Sequence, residues 1–357
     1  MVAATIRVLL VDDSPVALAI LRRMLAASPE IEVVGTARHG REALELIPQL
    51  RPTMICTDFH MPVMDGLELT RQVMATCPRP ILVISSVVGG GDPEKVFELL
   101  QAGAVDVFPK PRGGAEADPA AAQFISKVKL VAGVFVIRRQ PMELPARSVA
   151  VAAPGSCTGA RNAANPIRMV VIGASIGGPQ ALQAILPQLP ARFPVPIVCV
   201  QHISSGFLQG LVEWLSVQCR LKLQIARPGE VPQPGRVYFP AEDSHLVIDR
   251  LGRLQPSHEP AVDGHRPSVT VAFRSVAGYY GAASIAVLLT GMGRDGGDGM
   301  LAVERAGGLT IAQDEASCVI FGMPKRAIDL GAARRILPPA GIAAALIETV
   351  SRQSKGA

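Results

Sequence analysis

Between residues 6 and 111, five short runs are almost wholly apolar and rich in β-branched residues: "IRVLLVDD", "IEVVGTA", "MICTDF", "PILVISS" and "AVDVFPK". They lack the alternation of half-exposed strands, which predicts a parallel sheet covered on both faces. Amphipathic stretches between them, such as "ALAILRRMLAASP" and "EKVFELLQAG", predict helices, the second closed by Gly103. Strand–helix alternation of this kind is a doubly wound α/β domain. Residues 118–139 read as a further helix, and "QPMELPARSVAVAAPGSCTGARNAANP" (140–166), aperiodic and rich in Ala, Pro, Gly and Ser, reads as a linker. From Ile167 a second α/β pattern begins, with strands "IRMVVIGAS", "PIVCVQHI", "LKLQIA", "SIAVLLTG" and "LTIAQD" and a last helix "GIAAALIETVSRQ". A polar, hairpin-like insert, "RVYFPAEDSHLVIDRLGRLQ", interrupts it. The expected division is 1–118 for the first domain, 119–166 for its last helix and the linker, and 167–357 for the second domain.

Composition narrows this picture. With 357 residues, 49% of them hydrophobic and 18% charged, the chain can bury two cores. No apolar run is long enough to cross a bilayer, so no direct membrane insertion is expected. The start, "MVAATIRVLLVDD", runs into two aspartates and fits a first strand better than a signal peptide. Six cysteines without a C-x-x-C pair suit a reducing cytoplasm. Residues 1–111 carry a net charge of −3, whereas 112–166 and 167–357 carry +4 each. With one Trp, three Tyr and no base-stacking motif, this balance predicts an acidic protein partner rather than nucleic acid.

Polar residues at the ends of the first five strands carry the first chemistry. Asp12 and Asp13 end the first, Asp58 the third and Ser85 the fourth, and Lys110 follows the fifth. In a doubly wound sheet these ends converge on one crevice. Three carboxylates there repel unless a cation joins them, and hard oxygen donors suit Mg²⁺. Asp58 is the expected nucleophile toward a phosphoryl donor, with Ser85 and Lys110 binding the transferred oxygens. Any one of these alone would read as a helix cap; all five together do not. Residues 5–111 resemble the response-regulator receiver family through Asp12–Asp13, "DFHMPVMDG", Ser85 and "FPKP". The resemblance implies a flavodoxin-like fold and Mg²⁺ held by Asp13, Asp58 and the His60 carbonyl.

The second constellation centres on "VVIGASIGGP", where Ser175 sits in a G-x-S-x-G spacing between a strand and a helix. A dinucleotide fingerprint would need glycine at its position, and no acidic residue follows in the next strand to hold a ribose. A nucleophilic serine needs a base and the base an orienting acid. His202 ends the next strand, and Asp295 follows "SIAVLLTG" in the glycine-rich "TGMGRDGGDG". Those glycines let the loop expose backbone N–H groups to an oxyanion. His245, His258 and His265 are rival bases in or beside the insert, and Asp298 is the rival acid.

The motifs "IGASIGGP", "VQHI", "HRPSVTVAFRSVA", "TGMGRDG" and "AQDEASCVIFGMP" make the chain similar to the chemotaxis response-regulator protein-glutamate methylesterases. That resemblance implies hydrolysis of glutamate methyl esters on methyl-accepting chemoreceptors, deamidation of receptor glutamines, and a histidine kinase as phosphoryl donor. It also implies that Ser175, His202 and Asp295 are the triad, with Met292 beside them and no cofactor for the esterase, in a cytoplasmic monomer. Ile176 departs from the hydroxyl or small residue common after the nucleophile. An esterase in a signalling array unrelated to motility, or a binding module idle through Ile176, are the other readings. A receiver-linked transcription factor is not supported, since no helix-turn-helix pattern follows the linker.

Overall fold

The computed structural model describes residues 5–85, 93–111, 119–134 and 166–354. All but Pro166 of the stretch read as a linker lies outside them. The first sheet contains β1 (Ile6–Val11), β2 (Ile31–Ala37), β3 (Met54–Thr57), β4 (Ile81–Ser85) and β5 (Asp106–Pro109). They are all parallel, in the order β2-β1-β3-β4-β5. Helices α1 (Pro15–Ala26), α2 (Gly40–Leu50), α3 (Gly66–Thr76), α4 (Pro93–Ala102) and α5 (Pro119–Ala132) follow the strands in turn. This is the flavodoxin-like order, whose crevice opens at the strand C-termini. Ser14 and Asp65 cap α1 and α3 by accepting from Ala17 N and Glu68 N, so these helices begin at the crevice.

The second sheet is built from β6 (Met169–Ala174), β7 (Ile197–Gln201), β8 (Lys222–Ile225) and β9 (Arg236–Phe239), then β12 (Ser284–Leu288), β13 (Leu309–Gln313) and β14 (Arg335–Leu337). All are parallel, in the order β14-β13-β12-β6-β7-β9-β8. Between β9 and β12, β10 (His245–Ile248) and β11 (Leu254–Ser257) form a separate antiparallel pair. The helices are α6 (Gly178–Ile185), α7 (Leu208–Gln218), α8 (Val269–Tyr280), α9 (Gly297–Arg305), α10 (Met323–Asp329) and α11 (Pro339–Ser354).

Here the insert reading needs correction. "RVYF" is not one arm of a hairpin: it is β9, inside the parallel sheet, and it displaces β8 to the edge. Val237, Tyr238 and Phe239 are all buried, which an arm of an exposed hairpin could not achieve. Only the "HLVI" and "LQPS" part forms the antiparallel pair. The sequence pattern gives no sign of β14, which is three residues long with two of them exposed and so carries no apolar run.

Helix α4 of the first unit packs on α7 and α6 of the second. Phe97 stacks on Trp214 at a centroid distance of 5.4 Å, and Gln180 Nε2 donates to the carbonyls of Ala104 (3.1 Å) and Leu100 (3.4 Å). Ser204 Oγ donates to Val107 O of β5 at 3.3 Å. A cavity of about 440 Å³ remains in this contact, lined by Leu100 and Val134 on one side and Gly177, Gln180 and Val319 on the other. The five described cysteines are free thiols, and burial pushes those of Cys56 and Cys199 up.

Candidate active site

Three adjacent strands, β12, β6 and β7, bring Ser175, His202 and Asp295 to one sheet edge. Ser175 follows β6, where its N–H donates to Thr290 O. Its own carbonyl accepts from Gly178 N and from Gln201 Nε2, so the turn is tied to α6 and β7. Gly177, at φ +77°, makes the reversal that starts α6, a backbone region costly for other residues. Gly291 serves differently: a Cβ there would lie 2.6 Å from Ser175 Cβ and 2.3 Å from Met323 Sδ. Bare backbone is what lets the β12 loop pass the serine.

His202 Nε2 lies 2.9 Å from Asp295 Oδ2. A carboxylate only accepts, so Nε2 carries the proton and Nδ1 holds the lone pair. Nδ1 is buried without a hydrogen-bond partner, and Ser175 Oγ does not reach it in this state. Catalytic hydrogen bonds often close only when substrate binds. Asp295 is 1% exposed and held by four further donors: Val269 N (2.8 Å) on Oδ2, and Ser268 Oγ (2.8 Å), Thr270 N and Gly296 N (both 2.9 Å) on Oδ1. Burial works against its charge, but His202 and the amides at the start of α8 outweigh it and hold the carboxyl well below the usual range.

His265, ranked below His202 as a base, stacks face to face on it with ring centroids 3.9 Å apart. Burial and the neighbouring His202 push the His265 pKa down to about 4. The sequence offered little signal for this contact, because His265 sits in a loop beyond the hairpin. His245 is fully buried, with Nδ1 accepting from Ser268 N and Nε2 against Pro260 O, so it is not a base. His258 is exposed, and its carbonyl accepts from Arg266 Nη1 at 3.3 Å. Asp298 pairs with Arg326 at 3.4 Å, outside the cluster. Met292 is 46% exposed on the β12 loop. Ile176 points away from solvent at 4% exposure and joins an apolar cluster with Phe124, Val128, Val131 and Val134 of the first unit, flanked by Val319 and Ile320.

The acidic cluster forms as expected. Carboxylate oxygens of Asp12, Asp13 and Asp58 lie within 4.8 Å of one another, with Asp13 open to solvent. Lys110 Nζ is 2.7 Å from Asp12 Oδ2 and 3.0 Å from Asp58 Oδ2. Burial, only partly offset by Lys110, pushes the Asp58 pKa up. Burial opposes the charge on Lys110, but the two aspartates raise its pKa overall. Ser85 is buried beside Lys110, whose N–H donates to the Ser85 carbonyl. Hard oxygen donors with one open side fit a small divalent cation.

A family model described as "CheB methylesterase" matches residues 170–346, and one described as "Response regulator receiver domain" matches residues 8–118. The chain is 42% identical over 357 residues to the protein-glutamate methylesterase/protein-glutamine glutaminase of Nitrosospira multiformis, covering 98% of each. It is also 42% identical over 321 residues to enzyme 4 of that name from Myxococcus xanthus, covering 89% of this chain and 90% of that one. Among solved structures, the CheB methylesterase catalytic domain of Thermotoga maritima matches with TM-score 0.50 and 40% identity, covering 52% of this chain and 99% of that one.

Proposed function

The chain belongs to the CheB methylesterase family and carries a receiver domain, and from that premise we propose that Ser175, His202 and Asp295 are the triad of its hydrolase. Its activity is that of a protein-glutamate methylesterase and protein-glutamine glutaminase. The contact between His202 Nε2 and Asp295, at the strand edge that also presents Ser175, carries the assignment.

Ser175 Oγ attacks the ester carbonyl while His202 Nδ1 takes its proton. N–H groups of the turn after Ser175 and of the glycine-rich β12 loop stabilise the oxyanion. The proton on Nδ1 passes to the departing methoxy oxygen, so methanol leaves and a glutamyl ester of Ser175 remains. Water then gives a proton to Nδ1 and attacks that ester, and glutamate is released with Ser175 reprotonated. A glutamine amide follows the same course with ammonia as the leaving group.

On the receiver side, Asp58 accepts the phosphoryl group from a histidine kinase, and Ser85 and Lys110 bind its oxygens. Asp12, Asp13 and Asp58 would hold Mg²⁺, which when bound neutralises charge on the phosphoryl group. Residues 1–118 form the receiver, 119–166 its last helix and the linker, and 167–357 the hydrolase. The receiver face built from α4, β5 and α5 covers the hydrolase in the unphosphorylated state, and phosphorylation releases it. Among the described residues no helix is long and apolar enough to cross a membrane. The working form is a cytoplasmic monomer acting on methyl-accepting chemoreceptors.

Methanol release from a methylated receptor fragment, with and without a phosphoryl donor, tests the reading. Ser175→Ala should abolish release, and Asp58→Asn should hold it at the basal level when donor and Mg²⁺ are present. Activity retained in Ser175→Ala would overturn the nucleophile assignment.

A further inference from the structure

The β10–β11 pair lies outside the main sheet, yet it is stitched to the helix that holds the triad acid. Ile248 N in β10 donates to Ser275 Oγ of α8 at 2.6 Å, two turns into the helix. At the other end, Ser268 N donates to His245 Nδ1 at 3.1 Å. Ser268 is the N-cap of α8, and its hydroxyl both accepts from Val271 N and donates to Asp295 Oδ1. The next two amides, Val269 N and Thr270 N, also bind Asp295. The chain of contacts therefore runs from His245 through Ser268 to Asp295 and on to His202.

Both nitrogens of His245 are committed. The Pro260 carbonyl can only accept, so Nε2 donates to it at 3.2 Å. Nδ1 is then the unprotonated nitrogen that receives the Ser268 amide. The ring is fully buried, so the arrangement has no water to fall back on.

We infer that His245 is a positioning residue of the hydrolase: by fixing the Ser268 cap of α8 it orients the Asp295 carboxylate toward His202. The inference rests on the triad reading above. It gives the insert a purpose beyond closing the chain, since β10 braces the start of α8. The groups facing His202 itself are Asp295 from the β12 loop and His265 from the loop after β11. Lys127 and Asp263 act on His265 in turn.

Two substitutions separate positioning from mere packing. His245→Asn places an acceptor near the site of Nδ1, whereas His245→Gln carries its amide out to the site of Nε2. In the phosphorylated full chain, His245→Asn should keep kcat within about threefold. His245→Gln should lower kcat by about tenfold to a hundredfold with KM unchanged, short of the roughly 10⁴ that follows when a triad acid no longer orients its histidine. Equal losses in both variants, or a loss carried by KM instead of kcat, would overturn the inference. Should either fail to fold, Ser268→Ala and Ser268→Thr read the same relay, and a wild-type kcat in Ser268→Ala would overturn it. His202→Ala, run alongside, keeps the premise distinct: activity there would mean that the triad reading had failed.

Discussion

The imidazole of His265 lies face to face with that of His202, their planes 9° apart. Stacking two rings this closely is tolerable only if they do not both carry charge, and the burial that pushes the His265 pKa down to about 4 meets this condition. Between pH 6.5, where an exposed histidine titrates, and about 4, the unfolded chain binds a proton that the folded chain refuses. Stability should therefore be full above pH 6.5, fall as the pH drops through this window, and level off below it. His265→Phe keeps a ring in the stack but removes the titration. Denaturation midpoints at pH 7.5 and 4.5 should differ less in this variant than in the wild type; an equal difference would assign the acid sensitivity elsewhere.

Gly291→Ala should inactivate without unfolding. Its Cβ would stand 2.6 Å from that of Ser175, and Met323 Sδ blocks the retreat on the other side. A nucleophile displaced by about 1 Å can lose on the order of 10² in rate. Methanol release should drop by that order while receiver phosphorylation proceeds as in the wild type.

Gln180→Ala removes the hydrogen bonds to the Ala104 and Leu100 carbonyls across the domain contact. One good hydrogen bond contributes about 1 kcal/mol net, or about fivefold in the closed-to-open ratio. Unphosphorylated activity should rise by about that factor, with phosphorylated activity unchanged. Unchanged basal release would mean that this contact does not hold the receiver on the hydrolase.

Ile176→Thr offers a second test of the same contact. The side chain is buried with Phe124, Val128 and Val131 of the receiver side, so a hydroxyl there would be desolvated when the domains are closed. Basal activity should rise, and the ratio of phosphorylated to unphosphorylated activity should fall. A gain confined to the phosphorylated form would instead make the hydroxyl a substrate or oxyanion contact.

Much of this site was legible because its parts are local. The "GASIGG" turn, the His202 strand end and the Asp295 loop each announce themselves by a polar residue terminating an apolar run, and a doubly wound sheet gathers such ends at one edge. The same logic located Asp12, Asp58, Ser85 and Lys110. What stayed hidden depends on contacts distant in sequence. His265 reaches His202 from a loop with no periodicity, and Ser268 looks like an ordinary helix cap until Asp295 is seen beside it. "RVYF" resembles a hairpin arm in sequence because strand order is set by tertiary packing, not by the pattern within one strand. Ile176 read as a possible active-site change because nothing in a single domain's sequence shows which surface the other domain covers.

One apolar cluster runs from Leu9 and Val83 in the first sheet, through Phe97 and Trp214, to Val170 in the second sheet and Leu346 of α11. Two domains that share a core lose their thermodynamic independence. The unphosphorylated chain should thus melt in a single calorimetric transition, with calorimetric and van't Hoff enthalpies in agreement. The release proposed above would cut the cluster at the Phe97–Trp214 seam on phosphorylation of Asp58, and the same protein should then melt as two cooperative blocks. Heat capacity traces thereby report the switch without any substrate at all.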